Sequence, residues 1–215
     1  MFLTFEGIDG SGKSTQARLL VEHLREVGHQ AILIREPGGT PLSERIRDVL
    51  LDTSLSIEPF AELLLFSAAR RQVVVERIRP ALDSGKIVVC DRFFDSTSAY
   101  QGGGRGLFEQ DWLDAFNQVV TGGLIPDRTY WIDVDPEVGL KRRASRPGHQ
   151  GVGAPDRMEE PGLPFQREVA AAYARLASRE ADRILRLDGE QDVEDVHLLI
   201  WRDLEGFFGS PMAGE

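Results

Sequence analysis

The sequence predicts an α/β protein in which a parallel sheet is flanked by helices, and three observations support this fold class. Apolar runs suited to β-strands alternate with segments of helical periodicity along the whole chain of 215 residues. Alternation of this kind is typical of parallel strands with helices on both faces. A glycine-rich turn joins the first apolar run to the first helical segment. Hydrophobic residues make up 41% of the chain, which at this length suits one domain with a sizeable core.

The individual elements follow from these periodicities. Strands are predicted at 2–6, 31–35, 87–91, 129–134 and 183–187. Helices are predicted at 13–27, 41–51, 58–80, 94–101, 109–120, 136–145, 163–180 and 192–208. The first, third and fourth strands are almost continuously apolar, so we expect the sheet to bury both of their faces. We predict a single domain over residues 1–208 and a disordered tail over 209–215.

One segment lacks both strand and helix periodicity. Residues 146–155, RPGHQGVGAP, contain three glycines and two prolines. A long irregular loop inside a compact domain is usually a closing or binding loop, or else disordered. We predict a lid at about 142–160.

Charge and composition exclude several classes of function. The formal net charge is −10, whereas gripping a nucleic-acid backbone needs a basic face. Cys90 is the only cysteine, so no disulfide can form within the chain. No signal peptide is visible, no apolar run reaches membrane-spanning length, and the four histidines lack metal-ligand spacing. We therefore expect a cytoplasmic protein that binds neither nucleic acid nor membranes.

The glycine-rich turn is typical of a phosphate-binding loop. Residues 7–14, GIDGSGKS, match the pattern G-x-x-x-x-G-K-[ST] at every fixed position, between a strand and a helix. The glycines let backbone N–H groups line an anion site, to which the following helix adds its positive end. Lys13 would reach the β- and γ-phosphates of a nucleotide, and the Ser14 hydroxyl would bind Mg²⁺. The alternative is a glycine turn that matches by accident.

Polar residues follow the third predicted strand, and parallel sheets bind ligands beyond the carboxyl ends of their strands. Asp91 suits the second acidic group that such sites use for Mg²⁺, and the fork of Arg92 suits a phosphate. A surface ion pair or a helix N-cap is the alternative interpretation. The segment REPGGT at 35–40 by itself indicates only a turn and a helix start, with Thr40 as a candidate N-cap.

Two further groups of residues admit a structural and a functional interpretation. Phe66 and Arg70 share a helix face, so the pair could belong to the core or could bind a base. A run of basic residues falls within the seventeen positions of 141–157 of this acidic chain. It could be a solvated helix face, or it could bring arginine onto a transferring phosphoryl group when a loop closes.

Taken in order, a set of segments resembles bacterial thymidylate kinases. The segments are EGIDGSGKST, REPGGT, ERIRDVLLD, LLLFSAARRQ, CDRFFDSTSAYQGGGRG and DRMEE, and the resemblance runs from residue 2 to about residue 205. It implies the nucleoside-monophosphate-kinase fold of P-loop proteins, with a five-stranded parallel sheet, flanking helices and a lid. It implies phosphorylation of dTMP to dTDP with Mg²⁺-ATP, in dTTP synthesis. It also implies a homodimer.

The resemblance assigns binding roles position by position. The ATP-binding residues would be Gly7, Ile8, Asp9, Gly10, Ser11, Gly12, Lys13, Ser14 and Thr15, and the metal ligands would be Ser14 and Asp91. The dTMP-binding residues would be Asp9, Pro37, Arg47, Phe66, Arg70, Arg92, Thr97, Tyr100, Gln101 and Glu159. Phe66 would stack on thymine while Arg70 binds its carbonyl edge. Tyr100 would crowd the 2′ position of the sugar.

The catalytic residues implied by the resemblance are Lys13, Asp9, Arg92, Arg142, Arg143 and Arg146. Some family members carry an arginine inside the phosphate loop, but here none of the variable loop positions holds one. The chain therefore resembles the bacterial subtype in which lid arginines supply that charge. The acceptor is already a phosphate oxygen, so we expect in-line transfer without an essential general base.

Three other functions stay open on the sequence alone. A kinase for another monophosphate or for a nucleoside would use the same scaffold. A nucleotide switch or ATPase module would hydrolyse ATP without an acceptor, and a non-catalytic nucleotide-binding protein would do neither. The three readings differ in what a panel of acceptors would show, because fold alone does not fix function.

Overall fold

The computed structural model describes residues 1–145 and 162–208, so the predicted tail and most of the predicted lid lie outside the described residues. Within them the strands are Phe2–Glu6 (β1), Ala31–Arg35 (β2), Ile87–Asp91 (β3), Arg128–Asp133 (β4) and Ile184–Asp188 (β5). They form one parallel sheet in the order β2-β3-β1-β4-β5. The predicted five-stranded parallel sheet is confirmed.

Helices flank this sheet at bounds close to those predicted. They are Lys13–Glu26 (α1), Pro41–Leu51 (α2), Pro59–Val73 (α3), Arg79–Asp83 (α4), Phe94–Thr97 (α5), Gln110–Thr121 (α6), Pro136–Ala144 (α7), Gly162–Arg179 (α8) and Val193–Phe208 (α9). Thr40 caps α2 as predicted, since its side chain accepts a hydrogen bond from Ser43 N at 3.1 Å. No helix among the described residues is both long and apolar enough to cross a membrane.

The structure differs from the prediction where two expected helices contain wider turns. Val74–Ile78 (π1) continues α3, and Ser98–Gly104 (π2) continues α5, both with π-helical geometry. The glycines of π2 let α8 pack closely against it. A Cβ added at Gly103 would lie 2.3 Å from Cβ of Ala172, which a side chain could not tolerate. Turns of this type often occur at functional sites.

The sheet buries the apolar side chains of its central strands on both faces. Leu3 and Phe5 of β1 pack with α1 and α9 on one face, whereas Phe2 packs with π1 and β3 residues on the other. The burial of β1, β3 and β4 agrees with the expectation from their apolar runs. In this arrangement Asp91 at the end of β3 pairs in register with Phe5 and with Arg35. The polar residues that follow β1, β2 and β3 therefore meet at one edge of the sheet.

Candidate active site

The loop between β1 and α1 is a tight glycine turn at the carboxyl edge of the sheet. Gly7, Gly10 and Gly12 have φ of 142°, 82° and 101°, values that residues with a side chain rarely adopt. Space is restricted as well, because a Cβ added at Gly10 would lie 2.1 Å from the carbonyl oxygen of Gly139 in α7. The loop is therefore pressed against α7. Beyond it, the N–H groups of Lys13 and Ser14 at the start of α1 have no intrahelical acceptor and are available to an anion.

Lys13 lies folded over this loop. Its ammonium group donates to the carbonyl of Ile8 at 3.3 Å and lies 3.6 Å from Oδ1 of Asp9. Burial and the nearby charge of Arg92 lower its pKa, an effect that the carboxylates of Asp9 and Asp91 oppose. The side chain is 7% exposed, so little of its charge is screened by water. Lys13 therefore places a positive charge over the anion site that the loop forms.

Ser14 and Asp91 fit a magnesium ion that is shared with phosphate groups. Oδ1 of Asp91 is buried without a hydrogen-bond partner, which is energetically unfavourable unless a bound ligand interacts with this oxygen. Ser14 is exposed in the first turn of α1. Among the described residues no cluster of three or more His, Cys, Asp or Glu residues could hold a metal ion on its own. A magnesium ion here would take most of its ligands from phosphates and water, as it usually does.

The side chain of Arg92 makes several hydrogen bonds beside the phosphate loop. Its Nη2 donates to Oδ1 of Asp9 at 2.7 Å and to the hydroxyl of Tyr100 at 3.0 Å. Its Nη1 donates to Oγ of Ser96 at 3.0 Å. The backbone of Arg92 has φ of 74°, an uncommon value for a residue other than glycine. Strain of this kind persists only where surrounding contacts hold it, and it clusters at functional sites.

The carboxyl group of Asp9 is held ionised by its cationic neighbours. Burial raises its pKa, but Arg92 and Lys13 lower the pKa more, so the net shift is well below the ordinary value. The charge of Arg143 acts in the same direction, which brings this arginine of α7 within electrostatic reach of the site. Asp9 is therefore an anion that orients Arg92.

Glu6 is a buried carboxyl group that the sequence analysis did not assign to the site. It is fully buried at the end of β1 and accepts hydrogen bonds from Phe93 N at 2.7 Å and Ser96 Oγ at 2.6 Å. The hydroxyl of Tyr173 in α8 donates to the same group at 2.8 Å. These contacts fix the backbone of the residues that follow Arg92, so Glu6 stabilises the strained backbone conformation of this arginine. The position of Glu6 as the polar last residue of an apolar strand was the available signal.

The pKa of Glu6 is raised from 4.5 to about 7. Burial is the largest cause and the negative charge of Asp95 adds to it, whereas Arg92 and the hydrogen bonds from Ser96 and Phe93 oppose the rise. The rise follows the rule that burial disfavours the charged form of a carboxyl group.

One pocket opens from Arg92 towards α2, α3 and π2, and it encloses about 570 Å³ of space that is partly open to solvent. Its lining residues are Asp9, Glu36, Pro37, Arg47, Leu51, Phe66, Arg70, Arg92, Ser96, Thr97, Tyr100 and Gln101. All the predicted dTMP-binding residues that the structure describes lie in this lining. Glu159 lies outside the described residues. We call this the acceptor-side pocket.

Arg70 lies at the inner end of the acceptor-side pocket and is 2% exposed. It donates from Nε to Glu36 at 2.6 Å, from Nη1 to Thr97 at 2.6 Å and from Nη2 to the carbonyl of Phe93 at 3.0 Å. A guanidinium group has five N–H donors, so two are left for a ligand. Glu36, which the sequence analysis did not assign, thus orients Arg70. Phe66 lies half-buried one turn earlier on the same face of α3.

A second pocket lies on the other side of the phosphate loop, with about 820 Å³ of space that includes open solvent. It is lined by Gly10, Ser11, Gly12, Thr15, Gln16, Ile132, Arg142, Gly189, Glu190, Gln191, Asp192, Val193 and Val196. Arg142 donates from Nη1 to the carbonyl of Gly189 at 2.7 Å, which fixes this arginine at the rim. We call this the donor-side pocket. Arg146, a predicted catalytic residue, lies outside the described residues.

Comparisons with known proteins agree with one another. A family model described as thymidylate kinase matches residues 5–200. The thymidylate kinase of Deinococcus radiodurans is 46% identical over 201 residues, which cover 94% of each chain. That of Pelobacter propionicus is 47% identical over 196 residues, covering 91% of this chain and 89% of its own. A crystal structure of thymidylate kinase from Ehrlichia chaffeensis is similar with a TM-score of 0.77 at 37% identity, covering 95% of this chain and 98% of that one.

Proposed function

The chain belongs to the thymidylate kinase family and phosphorylates dTMP to dTDP, and we propose that it does so by direct transfer from Mg²⁺-ATP between its two pockets. The observation that supports this most is the position of the phosphate loop. Its glycines line the donor-side pocket, while Asp9 in the same loop lines the acceptor-side pocket. A phosphoryl group bound by the loop would therefore lie between the two ligands, as in-line transfer requires.

On the donor side, the loop of residues 7–15 would hold the ATP phosphates by backbone N–H groups and by Lys13. Ser14 and Asp91 would hold Mg²⁺, and the unpartnered Oδ1 of Asp91 supports this assignment. Bound with the phosphates, the ion supplies charge neutralisation for the transferring group. Arg142 and Arg143 are the described arginines of α7 that could add positive charge during transfer, and Arg146 is a further candidate from the sequence.

On the acceptor side, Arg92 would bind the phosphate of dTMP, and Asp9 would keep the guanidinium aligned. Phe66 would stack on the base, and Arg70 would donate to a carbonyl oxygen at its edge. Tyr100, whose hydroxyl bonds Arg92, would close the space beside the sugar. The remaining predicted contacts are Pro37, Arg47, Thr97, Gln101 and Glu159.

We further propose that the protein is a homodimer joined through α3 and α6. Exposed aromatic side chains line up on this surface, with ring centroids 5.3 Å apart for Phe60 and Phe108 and 4.1 Å apart for Phe108 and Trp112. Val119 of α6 is 77% exposed. Contiguous apolar patches on a surface typically mark interfaces. Sedimentation of a Trp112→Glu/Val119→Glu variant should show a lighter species than wild type, whereas an unchanged mass would refute this surface.

The chain's composition supports a cytoplasmic location, because its single cysteine, Cys90, is buried and unpaired. This part of the proposal is tested by fractionation of cells that express the tagged full chain. Recovery of the protein with the membrane or the periplasm would contradict it.

The experiment that tests the function is an ADP-release assay with Mg²⁺-ATP and one acceptor at a time. The acceptors are dTMP, dUMP, dCMP, dGMP and AMP, with an acceptor-free control. We expect rapid turnover of dTMP and weaker turnover of dUMP, since a buried methyl group is worth about 1–3 kcal/mol. ADP release that is equal without an acceptor would instead indicate an ATPase module. Turnover chiefly of another monophosphate would indicate a different kinase.

A further inference from the structure

Two residues of α3 line the acceptor-side pocket, and a third lies on the same helix face behind it. Glu62, Phe66 and Arg70 follow one another at intervals of four, so they lie in a row along the helix. Phe66 and Arg70 line the pocket, whereas Glu62 is fully buried behind it. A buried carboxyl group at this place needs partners, because an uncompensated buried charge is strongly destabilising.

The partners of Glu62 come from π2 and the residue that follows it. Oε1 of Glu62 accepts a hydrogen bond from Nε2 of Gln101 at 2.8 Å. Arg105 donates from Nε at 3.4 Å and from Nη2 at 3.1 Å, and it lies over the ring of Phe165 at 4.9 Å. The guanidinium group therefore neutralises Glu62 while Gln101 binds one of its oxygens. Gln101 itself is 2% exposed and lines the acceptor-side pocket.

This contact determines which end of the Gln101 amide faces the pocket. A carboxylate can only accept hydrogen bonds, so the NH₂ end of the amide must face Glu62. The carbonyl oxygen of Gln101 is bonded to the same carbon and points in another direction. It is the group that Gln101 can offer to a ligand in the pocket. A neutral amide at position 62 would lose this control, because it can donate as well as accept.

Pyrimidine bases differ at the edge that these residues would meet. Thymine and uracil present a carbonyl acceptor at position 4 and an N–H donor at position 3, and cytosine presents the reverse pair. Arg70 offers donors only, and Gln101 as oriented offers an acceptor. The geometry points to Glu62 as the residue that makes the pocket favour thymine over cytosine, because it holds the Gln101 amide in one orientation. This inference rests on the proposed function of the acceptor-side pocket.

A purely structural role for Glu62 makes a different prediction. If the carboxylate only ties α3 to π2, its loss should loosen the whole pocket and impair all acceptors together. If it orients Gln101, its loss should change the choice between cytosine and thymine. The choice between uracil and thymine should not change, because these two bases share the same edge and differ by a methyl group.

The test is a comparison of kcat/KM for dTMP, dUMP and dCMP in wild type and in Glu62→Gln. We expect the dTMP-to-dCMP ratio to fall by roughly 10–100-fold, the range for removing one mismatched buried hydrogen bond. The dTMP-to-dUMP ratio should stay within about twofold of wild type. Glu58→Gln is the matched control, since Glu58 is exposed, lies four residues earlier on the same helix and caps it. Its ratios should equal those of wild type.

The exchange variant Glu62→Gln/Gln101→Glu gives a second, independent test. It keeps one amide and one carboxylate at the two positions but places the acceptor-only group beside the base. We expect the dTMP-to-dCMP ratio to return towards the wild-type value. This variant also decides the case if Glu62→Gln alone does not melt cooperatively, because folded exchange protein that accepts dCMP well would overturn the inference.

Failure of the inference and failure of the proposed function give different results. A wild-type protein that does not turn over dTMP refutes the function. If wild type turns over dTMP but folded Glu62→Gln keeps the wild-type dTMP-to-dCMP ratio, only the role of Glu62 is refuted. A parallel fall for all three acceptors would assign Glu62 a structural role only.

Discussion

The two pockets beside the phosphate loop are built in contrasting ways. The acceptor-side pocket is lined by charged and aromatic side chains, and its two inner arginines, Arg70 and Arg92, are each held by a carboxylate within 2.7 Å. The lining of the donor-side pocket combines glycine and small residues of the phosphate loop with the charged residues Arg142, Glu190 and Asp192, and none of its described lining residues is aromatic. Rigid side chains can distinguish one small acceptor from another. Backbone N–H groups recognise phosphate, which every nucleoside triphosphate carries.

The largest effect should come from the donor side. Replacing Lys13 by Met keeps most of the buried volume but removes the charge over the loop. We expect kcat to fall by about 10³-fold, as when one transition-state donor is lost, with little change in dTMP affinity. Steady-state kinetics and calorimetric dTMP binding would measure the two quantities, with Lys86→Met as a control away from the site. Retained turnover would show that Lys13 does not act in transfer.

On the acceptor side, loss of an oriented arginine should affect stability as well as function. Arg70→Met leaves the buried carboxyl group of Glu36 without its partner. We expect the free energy of unfolding to drop by about 3–5 kcal/mol, as measured when one member of a buried pair is removed. Chemical denaturation would measure this, with Arg71→Met as the neighbouring exposed control. A loss no larger than that of the control would mean that Glu36 is not held by Arg70.

The buried carboxyl group of Glu6, beside the acceptor-side pocket, predicts that the stability of the protein depends on pH. Its pKa is about 7 in the folded protein against an ordinary value of 4.5, so the folded state binds this proton more tightly. The contribution is fully present below pH 4.5 and is lost as pH rises through about 7, at most about 3 kcal/mol. The free energy of unfolding, measured by chemical denaturation, should fall between pH 5 and pH 8 in wild type and should fall less in Glu6→Gln. An equal fall in the two proteins would contradict the assignment of this pKa to Glu6.

The smallest effect should concern the metal on the donor side. Asp91→Asn replaces the unpartnered carboxylate by a weaker ligand. We expect the Mg²⁺ concentration for half-maximal activity to rise about 10–100-fold, while activity at saturating Mg²⁺ recovers much of the wild-type value. A magnesium titration would show this, with Asp83→Asn at the exposed end of α4 as the control. An unchanged titration midpoint would remove Asp91 from the metal site.

Local sequence patterns were sufficient for the sheet and insufficient for the contacts between helices. β1, β2 and β3 begin and end where predicted, because each apolar run stops at a glycine or a charged residue. The wide turn of π2 was not predicted, since it depends on how closely α8 packs against its glycines. The same packing brings Tyr173 of α8 to Glu6, and no local pattern could place two residues so distant in sequence together.

The site shows the same division. The rule that placed Asp91 in the site is that a polar residue stands at the carboxyl end of a strand. It applies equally to Glu6, the last residue of β1, and to Glu36, which follows β2, so both could have been found from the sequence. Glu62 could not, because its importance depends on where π2 places Gln101. The predicted roles of the site residues await the kinetic tests, and Arg146 and Glu159 lie outside the described residues.

The row formed by Glu62, Phe66 and Arg70 has a practical consequence. Phe66 and Arg70 would contact the base and Glu62 would orient Gln101, and these three residues of α3 lie within nine consecutive positions. Altered acceptor preference could therefore be sought by randomising Glu62, Phe66 and Arg70 together in a single small library. The phosphate loop, encoded elsewhere in the chain, would stay untouched. Selection on such a library would act on nucleobase choice while leaving the phosphoryl-transfer machinery constant.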